Sequence, residues 1–145
     1  MKVDDAGRAF LTQQEGERLT SYKDSGGRYT IGVGHLLLRG GPGQHITHEQ
    51  SQTLLTADLA RFVAAVNKAV TRPLTQHQFN ALVSFAFNLG EGALRKSSLL
   101  RLVNAGSTDA VAITNAFKLW RNVNGKPSPA IEARRLREAA LFLTH

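Results

Sequence analysis

Apolar residues recur at helical spacing along most of this chain, with one interruption near the start. Over residues 4–15, Ala6, Ala9 and Phe10 share one side of a helix. Asp4 or Asp5 can cap it, and Gly16 stands where it should stop. The period then changes. Residues 20–23 and 28–34 flank Asp24-Ser25-Gly26-Gly27, a strong turn signal, and predict a β-hairpin. On its second strand Tyr29, Ile31 and Val33 alternate with Thr30, Gly32 and Gly34. The second set should form an open face where a ligand or another backbone comes close.

Helical spacing returns at Thr47-His48-Glu49-Gln50, a capping-box pattern opening a stretch to about residue 71. Leu54, Leu55, Leu59, Phe62, Val63, Val66 and Val70 give it an apolar stripe, and Pro73 breaks it. Thr75-Gln76-His77-Gln78 is a second capping box. It opens residues 79–89, apolar nearly all round and therefore the expected buried centre. A short helix over 97–105 should end at Gly106, and Ser107 or Thr108 should cap another reaching about residue 120. Residues 122–126 read as a turn. Ser128-Pro129 reads as N-cap and first residue of a last helix ending near residue 143. One helix, a small sheet and about five more helices give an α+β class.

Composition narrows this picture. A length of 145 residues suits a single domain, 1–145. There is no cysteine, which excludes disulfides and thiolate metal sites. No run of about 18 apolar residues is present, so no membrane-spanning helix is expected. Met1-Lys2-Val3-Asp4-Asp5 lacks the apolar stretch of a signal peptide, although a trimmed leader remains open. Lysine and arginine outnumber the acids 18 to 11, a formal charge of +7. That charge favours nucleic acid, anionic lipid or an anionic cell wall, or serves solubility alone.

Two carboxyls stand out. Glu15 closes the first helix and Asp24 lies at the hairpin tip, nine positions on. Helix and hairpin folding back on each other would let the pair flank a cleft, as glycosidic cleavage requires. Their settings differ, as separate acid and base roles need. Thr30 could orient a water with its hydroxyl. Each residue also has an ordinary explanation: Thr12-x-x-Glu15 as a capping box, Asp24 as a turn former, Thr30 as a strand residue. His45 and His48 with Glu49 lack the cluster a metal site needs and read as solvated loop histidines.

The local sequences say more. Gln14-Glu15-Gly16-Glu17-Arg18-Leu19, Tyr22-Lys23-Asp24 and Tyr29-Thr30-Ile31-Gly32-Val33-Gly34-His35-Leu36-Leu37 together resemble the N-terminal signature of the phage T4 lysozyme family. Phe79 through Gly90, Ser97-Ser98-Leu99-Leu100 and Arg134-Arg135-x-x-Glu138 extend the resemblance over essentially the whole chain. One departure is Ala130-Ile131, where many such endolysins carry Gly-Leu.

The resemblance implies a lysozyme-like α+β fold. A small hairpin lobe, about 13–58, and a larger helical lobe, about 1–12 and 59–145, would be joined by the long helix, with a cleft between them. It implies Glu15, Asp24 and Thr30 as catalytic residues, and Leu36, Phe87, Asn88, Ser98 and Asn115 as substrate-binding residues. Core packing is the other explanation for Phe87, and one residue of slippage would replace Asn115 by Thr114. It also implies an ion pair between His35 and Asp58. No metal or cofactor is needed for acid and base chemistry.

The implied activity is that of an endolysin. It would hydrolyse the β-1,4 bond between N-acetylmuramic acid and N-acetylglucosamine in peptidoglycan, with inversion, and so lyse the host. The partner would be the glycan strand, with no nucleic acid and no stable membrane insertion, for a monomer. It would be made in the host cytoplasm and act in the periplasm, with holin-dependent export unless a leader was removed. Two alternatives remain at this level. A lytic transglycosylase would cut the same bond without water. A basic nucleic-acid-binding module would use Arg134, Arg135 and Arg137 on one helix.

Overall fold

A computed structural model describes residues Met1–His145. It divides into two compact units, Asp5–Ala60 and Met1–Asp4 with Arg61–His145. The boundary falls inside one long helix. The sequence reading placed residues 1–12 with the helices, whereas the whole first helix clusters with the sheet.

The smaller unit opens with α1 (Asp5–Glu15), which ends where Gly16 takes a φ of +77° and its N–H donates to the Thr12 carbonyl at 2.8 Å. A three-stranded antiparallel sheet follows: β1 (Arg18–Lys23), β2 (Tyr29–Gly32) and β3 (His35–Leu36), in that order. The hairpin is as expected, and the two-residue third strand was not foreseen. β2 is central, with Thr30 opposite Tyr22 on one side and Leu36 on the other. Its burial does not alternate: Thr30, Ile31 and Gly32 are all buried. Thr30, expected on an open face, is only 5 % exposed. Gly32 is present for a different reason from the one expected. Its φ is +68°, and a Cβ there would meet the Ser51 hydroxyl at 3.0 Å. Backbone geometry and a neighbouring helix require this glycine, with no need to invoke a ligand.

The long helix α2 (His48–Ala69) starts with the expected capping box. Thr47 Oγ1 accepts from the Gln50 N–H at 3.1 Å, and Gln50 Oε1 accepts from the Thr47 N–H at 2.9 Å. No helix is long and apolar enough to cross a membrane.

The larger unit is helical. α3 (Gln76–Leu89) carries the second capping box at Thr75, and Phe79 through Ala86 are buried without a break. It packs mainly on α7 (Pro129–Phe142), which also packs on α6 (Ala110–Lys118). Phe85 meets Phe117 edge-on at 5.7 Å and Trp120 at 6.1 Å, and Phe117 meets Phe142 at 6.0 Å. The short helix expected over 97–105 is α5 (Ser98–Asn104), capped by Ser97 and ending before Gly106, and a further short helix that was not expected, α4 (Glu91–Lys96), precedes it. The N-cap of α6 is Asp109, not Ser107 or Thr108; its carboxylate accepts from the N–H groups of Val111 and Ala112. The turn expected at 122–126 is a small hairpin, β4 (Asn122–Val123) and β5 (Lys126–Pro127). Ser128 and Pro129 start α7 as foreseen.

Arg134 and Arg135 are not solvated. Arg134 is 5 % exposed, and Arg135 and Glu138 are wholly buried. Glu138 Oε1 lies 2.9 Å from Arg135 Nη1, and Oε2 lies 3.2 Å from Arg134 Nε and accepts from the Ser84 hydroxyl at 2.5 Å. Guanidiniums committed in this way are not available to phosphates, which removes the motive for a nucleic-acid-reading helix here.

Candidate active site

Glu15, Asp24 and Thr30 all fall in the smaller unit. Glu15 is the last residue of α1 and is half-buried. The turn after it is pinned to α2 by a network the sequence reading missed. Glu17 receives His48 Nδ1 at 2.8 Å and Gln52 Nε2 at 3.3 Å, and Gln52 also donates to Thr12 Oγ1 at 3.0 Å. Burial pushes the Glu17 carboxyl up, but hydrogen bonds from Ser51, His48 and Gln52 and the charge of His48 outweigh this and hold it below its ordinary value. Residues on both sides of Glu15 are therefore tied to one rigid helix. The available signal was the placement of His48 and Gln52 four apart, on one face of α2.

Asp24 builds its own turn. Its Oδ1 accepts from the N–H of Gly26 at 2.8 Å and of Arg28 at 3.0 Å, while its N–H donates to the Arg28 carbonyl at 2.8 Å. Oδ2 is left 3.6 Å from Arg28 Nε. The Arg28 N–H, with smaller help from the Gly26 N–H, the Arg28 charge and the Thr30 hydroxyl, holds the carboxyl below the usual aspartate range against desolvation. Asp24 thus stays ionised well into acid. What these bonds contribute to the fold is present above about pH 3.9, its unfolded value, and is lost as pH falls through the lower folded value. Asp24 is thus a turn former, as its place between the two strands implied. One oxygen shapes the turn, and the other belongs to a fixed anion beside the Thr30 hydroxyl.

The strand pairing sets Leu36 directly opposite Thr30. Leu36 lines an open pocket of about 260 Å³ with Gly27, Arg28, Tyr29, Leu37, Leu38 and Gly40. The other candidate substrate residues lie in the larger unit. Phe87 is half-buried and meets Phe62 edge-on at 5.5 Å, so core packing accounts for part of it. Asn88 is exposed near the end of α3. Ser98 is half-buried at the start of α5, where Ser97 is the N-cap. Asn115 is exposed on α6, while Thr114 is half-buried.

His35, His45 and His48 each have a side-chain partner. His45 Nδ1 lies 3.0 Å from Thr20 Oγ1, and His48 is taken by Glu17. His35 Nδ1 and Asp58 Oδ2 are 2.8 Å apart, the pairing the resemblance implied. Each side chain keeps about a third or less of its surface in water, 27 % and 30 %. In a double-mutant cycle with His35→Asn and Asp58→Asn we expect a coupling on the order of 1 kcal/mol in denaturant melts. Strictly additive losses would show that the contact contributes nothing.

A family model described as phage lysozyme matches residues 12–138. The endolysin of Bacillus phage PZA is 42 % identical over 144 residues, 98 % of this chain and 55 % of that protein. This chain therefore spans about half the length of that relative. The endolysin of Salmonella phage P22 is 41 % identical over 148 residues, 99 % of each chain. Among solved structures, the muramidase domain of SpmX from Asticaccaulis excentricus matches with a TM-score of 0.85 and 38 % identity, covering 99 % of both chains.

Proposed function

Because this chain belongs to the phage lysozyme family, we propose that it is an endolysin acting on peptidoglycan. The bond cut is the β-1,4 link between N-acetylmuramic acid and N-acetylglucosamine, by hydrolysis with inversion. Glu15 protonates the leaving oxygen as general acid, and Asp24 with Thr30 positions and activates the attacking water. The observation that carries this reading is the state of Asp24. It is an anion fixed by two backbone N–H groups, with a buried threonine hydroxyl beside it. A base that activates water needs an ionised carboxylate held in one place, and a transglycosylase would have no use for one.

Contacts with the glycan strand are assigned to Leu36, Phe87, Asn88, Ser98 and Asn115. No metal or cofactor enters the chemistry. The enzyme works as a monomer on the wall, in the periplasm, released through the inner membrane by a holin unless a leader was removed, and its action lyses the host. A turbidity assay on bacteria with a permeabilised outer membrane tests the activity. Clearing is expected, and intact cells at high enzyme concentration would refute the reading.

The charge of +7 gives a second test. Attraction to an anionic wall is screened over about 10 Å at 0.1 M salt and about 3 Å at 1 M. The lysis rate should therefore fall as salt rises between those limits. A flat profile would mean that the charge has no part in finding the wall.

A further inference from the structure

One hydrogen bond joins the buried charge cluster of the larger unit to its surface. Arg135 Nη2 donates to Asn88 Oδ1. Arg135 is wholly buried, and its guanidinium is fixed on two further sides: Glu138 Oε1 lies 2.9 Å from Nη1, and the Phe85 ring centroid lies 5.4 Å from Cζ. Asn88, in contrast, is exposed.

This bond has a chemical consequence. A guanidinium has donors only, so it can be met only by the oxygen of the Asn88 amide. The opposite rotamer would set an NH2 group against N–H groups. The oxygen is thus tied inward, and the amide nitrogen is the part of Asn88 left to face outward. Without Arg135 the exposed amide could turn either way and would offer a donor or an acceptor equally.

We propose that Arg135 is a positioning residue that fixes Asn88 as a hydrogen-bond donor for the carbonyl oxygen of a sugar's 2-acetamido group. The inference rests on the peptidoglycan reading above, and on Asn88 touching the strand. The acetamido carbonyl is the acceptor chosen because the glycan repeats it on every sugar. A fixed donor would let the enzyme favour N-acetylated strands over strands carrying a free amine, which is itself a cationic donor and would be repelled.

The experiment measures kcat and KM of the wild type, Asn88→Asp, Asn88→Ala and Arg135→Lys on wall glycan before and after chemical de-N-acetylation. The wild type should prefer the acetylated glycan. Asn88→Asp and Asn88→Ala should raise KM on it by up to about tenfold, the scale of one hydrogen bond, with kcat changed much less. Asn88→Asp should also lose most of the preference, because it offers an anion to the amine. Arg135→Lys keeps the charge but cannot span Glu138 and Asn88 with a planar fork, so it should lose preference in the same direction.

The Asn88 side chain is exposed, so its variants decide the matter even if Arg135→Lys fails to fold. Asn88 variants that keep the wild-type KM and preference would overturn the proposal. A folded Arg135→Lys with full preference, beside Asn88 variants that have lost it, would overturn the role of Arg135. An inactive wild type would overturn the peptidoglycan reading, and this inference with it, and is told apart from the other outcomes by that inactivity.

Discussion

Glu15→Gln should lower lytic turnover by about 10²–10⁴-fold and leave the melting temperature within a few degrees of the wild type. The leaving oxygen of a glycoside needs a proton as the bond breaks, and an amide cannot supply one. The substitution is nearly isosteric, so the helix end and the turn to Glu17 keep their shape. The turn after Glu15 has bonds of its own: the Gly16 N–H to the Thr12 carbonyl, and Glu17 to His48, Ser51 and Gln52. Lysis assays on purified walls, with circular dichroism as the folding control, separate the two effects. A folded variant with near-normal lysis would remove Glu15 from the acid role.

The second large effect concerns stability. Glu138→Ala should cost roughly 3–5 kcal/mol, the range for removing one member of a buried ion pair. Here one carboxyl serves two buried arginines and the Ser84 hydroxyl. Burial pushes the Glu138 carboxyl above its ordinary range, against the charge of Arg135, the Ser84 bond and Arg134. Its removal takes the counter-charge from two buried guanidiniums, and the acceptor from Arg134 Nε, and also opens a cavity. Denaturant melts of wild type and variant measure the difference. A loss below about 1 kcal/mol, as for an exposed pair, would show that the cluster is not tightly coupled.

What was legible in the sequence is mostly what is local. The capping boxes at Thr47 and Thr75, and Ser128 before Pro129, depend on hydrogen bonds within four residues, and each was read correctly. The turn at Asp24 is local for the same reason. Elements too short to show a period were missed: the two residues of β3 and the six of α4. At α6 three possible caps stood in a row, and nothing in their chemistry favoured Asp109 over its neighbours. Long-range placement was the harder matter. Thr30 was expected on an open face, but both faces of β2 are covered, and alternation along one strand carries no information about what lies over it. Arg134 and Arg135 are a further long-range case. Charged side chains on a helix are usually solvated, and their burial depends on Glu138 three and four residues on and on Ser84 fifty residues away. The candidate catalytic trio was suggested by spacing, and the residue-by-residue resemblance raised it to an assignment. The support around it, Glu17 with His48, Ser51 and Gln52, lay in no motif.

The most direct test of the account is the structure of the freshly cut chain end. Purified glycan strands digested by the wild-type enzyme should yield a free reducing end in the inverted anomeric configuration, seen by NMR before mutarotation erases it. Mass spectrometry should show one added water for each cut. A 1,6-anhydro end would contradict hydrolysis, and a retained anomer would contradict attack by water on the Asp24 and Thr30 side.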